Sequence, residues 1–332
     1  MGHKISDKER VFTSTGEKLL HHTEAMKKFQ ETGIATPIVA HIMPTSLCNL
    51  SCGFCSVKDR KTHETLDLES DIIPFVEQLK DRGLKAVILS GGGEPTVYPK
   101  FNELINYLDS SKLDIGLITN GTTLYRQPKD TLEKLTWMRV SINALENGGK
   151  VKLPHLKNPT VGFSYIVTDV TTPEMLQQIK DLAVGNNIEY VRLLPDCAQP
   201  LDKLVEDHKK VGNMSRELGE PFFHQYKVPT TPDNCFLGYF HPVLYCDGKV
   251  YPCDSLVLND HNNQQFHEDF SICEGKDVGE MYDSRINGSL VDTHKMCPNC
   301  VFERQNTLLD KIYSDKTIIS KPTGSTKHKN FI

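Results

Sequence analysis

No stretch of the sequence approaches the roughly 18 consecutive apolar residues that a membrane span requires. The opening residues, MGHKISDKERVF, lack the apolar core of a secretory signal, so the expected location is cytoplasmic, away from any membrane. Basic charge is also scarce. The 38 Lys and Arg are outnumbered by 43 Asp and Glu, giving a net charge of −5, and no strong basic footprint argues for nucleic-acid binding. The 13 histidines form no tight metal-binding constellation, and His21-His22 falls on the expected surface of an N-terminal helix over 17–29. Cysteine is missing between Cys55 and Cys197, and again after Cys300. The remainder is ordinary: 38% hydrophobic and 24% charged residues supply a core and argue against global disorder. A length of 332 residues suggests two domains, at roughly 150 residues each.

Ten cysteines stand out against this background. In a long chain without a secretory signal they point to metal or redox chemistry rather than to a disulfide framework. Cys48-Asn49-Leu50-Ser51-Cys52-Gly53-Phe54-Cys55 places three thiols where they can wrap one small metal centre. Zinc normally takes four closed ligands, and no usual fourth ligand lies at a short spacing. A [4Fe–4S] cube held by three thiolates keeps one iron open for a small molecule. The second group combines a hairpin signal, Cys246-Asp247-Gly248 to Cys253, with the knuckle Cys297-Pro298-Asn299-Cys300. Four thiolates in that arrangement suit zinc or an iron–sulfur cluster, and spacing does not choose between them.

Between the two groups, helix and strand signals alternate. Strands are expected at 37–43, 85–90, 113–118, 138–143, 161–167 and 190–194. Leu68, Ile72, Phe75 and Leu79 mark one intervening helix, Phe101, Leu104, Ile105 and Leu108 a second, and Leu176, Ile179 and Leu182 a third. Such alternation predicts an α/β fold with a parallel sheet, and both a barrel and a doubly wound sheet place ligands at the C-terminal strand ends. After the second strand comes Gly91-Gly92-Gly93-Glu94-Pro95, where consecutive glycines permit close backbone approach and Glu94 offers an acceptor to an ammonium group. Thr119, Asn120 and Gly121, then Ser141 and Asn143, end the third and fourth strands. Arg192 on the sixth strand offers a partner for a carboxylate or phosphate.

The order Cys-x3-Cys-x-aromatic-Cys after a first strand, followed one βα unit later by Gly-Gly-Glu, resembles the radical S-adenosylmethionine (SAM) superfamily. The resemblance implies a partial (β/α)6 TIM-like barrel. It implies that Cys48, Cys52 and Cys55 hold a catalytic [4Fe–4S] cluster whose open iron is chelated by SAM. Phe54 would lie beside the adenine, and Gly92, Gly93 and Glu94 would meet the methionine amino group. Asn120 and Ser141 would add SAM contacts. The implied activity is reductive cleavage of SAM to a 5′-deoxyadenosyl radical that abstracts a hydrogen atom from substrate. An external one-electron donor such as flavodoxin or ferredoxin would be the partner.

A second resemblance covers Cys235, Gly248, Cys253, Cys297 and Cys300, which look like the opening half of the SPASM pattern or its shorter twitch form. It implies one auxiliary [4Fe–4S] cluster on Cys235, Cys253, Cys297 and Cys300, with Cys246 the rival of Cys235. Cys197 and Cys273 have no ligand partner by spacing, although a hydrogen-donor role for Cys197 stays open. The expected organisation is a helical lead-in over 1–34, the barrel over 35–225, the auxiliary domain over 226–310 and a mobile tail over 311–332. The 47 residues before Cys48 are few for a peptide-recognition domain, which favours a small metabolite such as a sugar or nucleotide derivative. A peptide substrate is the alternative, and a ligand-binding protein with a structural zinc is the alternative of another class.

Overall fold

The computed structural model describes residues 6–61, 63–146, 148–197, 199–227, 230–258, 264–297, 299–314, 319–320, 322 and 326–332. Ten strands form one sheet: Val39–Ile42 (β1), Ala86–Leu89 (β2), Asp114–Thr119 (β3), Trp137–Ser141 (β4), Thr160–Val167 (β5), Tyr190–Pro195 (β6), Phe222–His224 (β7), Val243–Leu244 (β8), Lys249–Tyr251 (β9) and Cys273–Glu274 (β10). The first six fall at the expected positions. β7 has only three residues, too few to carry a periodic signal.

The strand order is β10-β9-β8-β1-β2-β3-β4-β5-β6-β7. β1 to β7 run parallel, β8 joins β1 in parallel, and β9 and β10 are antiparallel. Strands such as Ala86-Val87-Ile88-Leu89 are buried throughout, because helices cover the outer face of the parallel sheet. Helix Ile73–Lys80 buries Phe75, Val76 and Leu79, with Pro74 in its first turn, where a missing N–H costs little. Helix Phe101–Ser110 buries Phe101, Leu104, Ile105 and Leu108 on one face. The sheet is an open, partial barrel. The C-terminal strands β8, β9 and β10, between and beside which Cys246 and Cys253 lie, enter this same sheet beside β1, so the segments on either side of 225/226 share one sheet.

The concave side is floored by aromatic rings. A Cβ on Gly162 would lie 2.1 Å from the Tyr190 ring, and one on Gly116 2.3 Å from Trp137. Glycine at these two positions makes room for the rings to lie across the sheet. Phe12 stacks on Tyr190 at 4.4 Å, and Phe331 meets Trp137 edge-on at 5.3 Å. Of the tail expected to be mobile over 311–332, the described residues at its two ends are ordered against the fold. Residues 311–314 finish helix Glu303–Ser314, and Phe331 and Ile332 are buried. Lys327 pairs with Glu189, and Asn330 donates to Asp114 at 2.7 Å. Phe331 and Ile332 thus supply apolar anchors at the very end of a polar stretch. The expected helix over 17–29 is split at His22 into Glu17–His21 and Thr23–Thr32. Among the described residues no helix is long and apolar enough to cross a membrane.

Candidate active site

β1 delivers the chain to the cysteine loop at the C-terminal edge of the sheet. Ser46 fixes the base of the loop: its Oγ accepts from the Glu64 amide at 2.7 Å and donates to the Glu64 carbonyl at 3.1 Å. Cys48 is exposed, and Cys52 and Cys55 are half-buried, as is Phe54 beside them. The three thiols lie within charge range of one another. Burial first, then these neighbours, push the Cys52 thiol up to about 11. Asn120, at the end of β3, donates from Nδ2 to Asn49 at 2.9 Å and approaches the Cys48 sulfur at 3.9 Å.

The glycine run lies against this loop. The Glu94 amide donates to the Leu47 carbonyl at 2.8 Å, and a Cβ on Gly93 would fall 2.2 Å from that same oxygen. Gly93 is therefore required by the cysteine-loop backbone. Arg60 ties the pieces together. Its Nη1 donates to the carbonyls of Ser46 at 2.9 Å and Gly92 at 2.8 Å, and its Nη2 to the Tyr245 hydroxyl at 2.6 Å. Nothing in the sequence separates Arg60 from other surface arginines, because its role depends on three distant partners.

Glu94 sits differently from the open acceptor expected of it. Its side chain is buried, and Oε1 accepts from the Thr96 amide, the Thr96 hydroxyl and the Thr119 hydroxyl at 3.0, 2.5 and 2.5 Å. Oε2 accepts from the Asn120 amide at 2.6 Å. Burial pushes the carboxyl above its ordinary range while these donors act against that shift. Glu94 thereby locks the end of β2 to the end of β3, leaving Oε2 the less occupied oxygen. Ser141 ends β4, half-exposed, in register with Ser164. Asn143 is buried and stitches β4 to β5 through both the amide and carbonyl of Ile166.

The C-terminal thiols divide cleanly. Cys235 feels Cys300 and Cys297, Cys253 feels Cys235 and Cys300, and Cys297 feels Cys300. Burial is the leading cause that raises all four thiols. Two N–H donors point at sulfurs of this group, Leu256 N at 3.3 Å from Cys253 and Asn306 Nδ2 at 3.7 Å from Cys300. Asn306 also accepts from the amides of Phe236 and Leu237 at 2.8 Å each. Cys246 stands apart, with Arg60, Tyr245 and Glu64 as its neighbours. Cys273 lies half-buried in β10, and Cys197 is exposed after β6, near Arg192 and Lys227.

Residues 42–159 match the model of the radical SAM superfamily. The probable GTP 3′,8-cyclase of Pyrococcus abyssi is 32% identical over 247 residues, covering 66% of this chain and 75% of that protein. The chain belongs to the radical SAM superfamily. The probable GTP 3′,8-cyclase of Pyrococcus horikoshii is 37% identical over 214 residues, covering 56% and 69% of the two chains. In fold, this radical SAM enzyme is similar to Streptococcus suis SuiB bound to the precursor peptide SuiA, with a TM-score of 0.53 and 17% identity over 85% of this chain and 73% of that one.

Radical SAM enzymes work with a [4Fe–4S] cluster and SAM, and the donor set suits them. All ten cysteines are free, and soft thiols are the ligands that iron–sulfur centres select. Among the described residues no three His, Cys, Asp or Glu side chains converge tightly enough to grip one bare ion.

Beneath the strand ends lies a cavity of about 180 Å³, lined by β1 to β6 and closed by Phe12, Trp137, Tyr190 and Phe331. Lys18 lines its floor. Burial, and then Arg139, lower the Lys18 ammonium to about 7. Between that value and the ordinary lysine range, the unfolded chain holds a proton that the folded chain lacks. Lys18 therefore makes stability rise with pH, by about 1.4 kcal/mol per unit. Lys18→Met should melt above the wild type most clearly below about pH 7, with the gap narrowing toward about pH 9. Thermal melts across that range check this, and a gap independent of pH would count against it.

Proposed function

We propose that this radical SAM enzyme abstracts a hydrogen atom from a small metabolite, a nucleotide or sugar derivative, and that the net reaction is an oxidation. In this reading Cys48, Cys52 and Cys55 hold the catalytic cluster, and Cys235, Cys253, Cys297 and Cys300 hold an auxiliary one. The observation that carries it is the approach of the second cysteine group to a lumen whose lining strands β1, β2 and β3 lead, at their C-terminal ends, to the cysteine trio, Glu94 and Asn120. Asp254, directly after Cys253, and Val301, directly after Cys300, line the cavity beneath the strand ends that carry Glu94 and Asn120. When bound, the two clusters supply a one-electron reductant for SAM and a one-electron acceptor for the substrate.

The chain's own residues do the rest. The aromatic floor closes the lumen on one side, which keeps water and stray hydrogen donors from a reactive radical. Arg60 and Gly93 hold the cysteine and glycine loops in one geometry, and Glu94 fixes the β3 end that presents Asn120. Two relatives named as probable GTP 3′,8-cyclases support a nucleotide-type substrate. The expected stoichiometry is one SAM consumed per two-electron oxidation, the substrate giving up one hydrogen atom, one electron and one proton.

Metal analysis after anaerobic reconstitution tests the two-cluster assignment. The wild type should carry about eight irons with matching sulfide, and Cys235→Ala about four. Four irons plus one zinc in the wild type would remove the auxiliary cluster and the oxidation with it. Zinc alone would turn the chain into a binding protein.

A further inference from the structure

The lumen carries more positive charge than the fold can use. Lys18, Arg139, Arg192 and Lys227 line it, against a single carboxylate, Asp254. Among the described residues none of the four has a carboxylate within 4.0 Å. Arg192 is held by neutral partners, donating to Ser164 Oγ at 2.9 Å and Gln225 Oε1 at 2.9 Å. Arg139 donates to the Phe12 carbonyl at 2.7 Å and to the Tyr190 hydroxyl at 3.2 Å, and lies over the Trp137 ring. Lys18 and Lys227 make no hydrogen bond to any described residue.

Two histidines add unused donors. His241 is 6% exposed, with both ring nitrogens unpartnered, and the buried Nε2 of His41 is unpartnered as well. Both rings line the cavity and stack on each other at 5.8 Å. Asp254 faces the other nitrogen of His41 at 4.0 Å. His328 and the Tyr190 hydroxyl complete the titratable lining.

Cations gathered in a protein interior repel one another and lose water, so they destabilise a fold unless an anion joins them. A site that sacrifices stability in this way is the signature of a binding function. An auxiliary cluster could balance Lys227, which lies near Cys300. Lys18 and Arg139 sit at the floor, beside Phe12, Trp137 and His328. We propose that this lumen binds the phosphate end of a phosphorylated small-molecule substrate, with Lys18, Arg139, Arg192 and Lys227 as its counter-charges. Cations converging from two strands, a helix and a loop suit a tetrahedral, multiply charged oxyanion better than a planar carboxylate, which one arginine fork would satisfy. The cavity of about 180 Å³ has room for such a headgroup. The inference rests on the reading of the lumen as the substrate chamber.

Calorimetric titration of the anaerobically reconstituted holoenzyme with pyrophosphate tests it, with malonate and glucose as controls at matched ionic strength. Saturable binding of one pyrophosphate per chain is expected, at least tenfold tighter than malonate, with no response to glucose. Arg192→Gln should weaken pyrophosphate binding at least tenfold. Lys18→Met should weaken it too, while raising the melting temperature of the unliganded protein at neutral pH, since it removes an uncompensated charge. Non-saturable binding, a preference for malonate, an unaffected Arg192→Gln variant, or a lowered melting temperature in Lys18→Met would each overturn the proposal. The same wild-type preparation is assayed for 5′-deoxyadenosine released from SAM. Release without pyrophosphate binding defeats the phosphate assignment alone, and binding without release defeats the radical reading alone.

Discussion

Cys52→Ala should reduce 5′-deoxyadenosine formation on the order of a thousandfold or more, an added barrier of at least about 4 kcal/mol. The reason lies in the loop. Three thiols within eight residues lie within charge range of one another, and none has a substitute of its own kind nearby. A cluster held by two thiolates would lose the geometry that leaves one iron free for SAM. The fold should survive, because Cys52 lies on a surface loop and anchors no core packing. Iron content should fall by about four per chain while the melting temperature barely moves. Cys273→Ala is the matched control, since Cys273 lies in the edge strand β10, where its charged neighbours are Asp277, Glu274 and Glu280 and no other cysteine. Equal 5′-deoxyadenosine yields from the two variants would contradict the assignment.

Gly93→Ala is expected to be nearly as damaging for a different reason. The new Cβ would stand 2.2 Å from the Leu47 carbonyl oxygen and 2.5 Å from the Ser46 carbonyl carbon. Both are backbone atoms, so no side chain can swing away, and the cysteine loop itself must shift. Overpacking of this kind costs about 1–3 kcal/mol, and displacement of a reacting group by about 1 Å costs on the order of a hundredfold in rate. The variant should retain bound iron while its SAM affinity and 5′-deoxyadenosine yield fall together. Gly185→Ala, at a helix end where nothing lies within 4 Å, should be neutral or stabilising by up to about 1 kcal/mol. Comparing SAM binding and melting temperature in these two variants separates the local clash from a general glycine effect.

Much of the scaffold could be read from the sequence, because its signals are local. Buried runs such as Ala86–Leu89 mark parallel strands, and a spacing of three to four between Phe101, Leu104 and Leu108 marks a helix face. The ordered cysteine and glycine motifs identify the superfamily because both are short and contiguous. What escaped depends on long-range contact. β7 and β8 are three and two residues long and exist only through their partners, Tyr190–Pro195 and Val39–Ile42. The docking of Phe331 and Ile332 depends on a floor built from Trp137 and its neighbours, 194 positions away for the Phe331–Trp137 pair. Arg60 and Asn306 each bridge segments far apart in the chain, which no single-sequence pattern announces. Glu94 was visible as part of a motif, yet its four hydrogen bonds into the β2–β3 loops were not. The charged lumen was the least legible feature, since Lys18, Arg139, Arg192 and Lys227 come from a helix, two strands and a loop far apart in the chain, and Arg192 alone suggested an anion partner.

The most direct test is anaerobic incubation of the reconstituted wild type with SAM and dithionite, followed by quantification of 5′-deoxyadenosine and methionine. The two products should form in equal amounts, well above the Cys52→Ala control. Absence of 5′-deoxyadenosine above that control, in protein whose iron and sulfide contents show the catalytic cluster to be intact, would contradict that expectation.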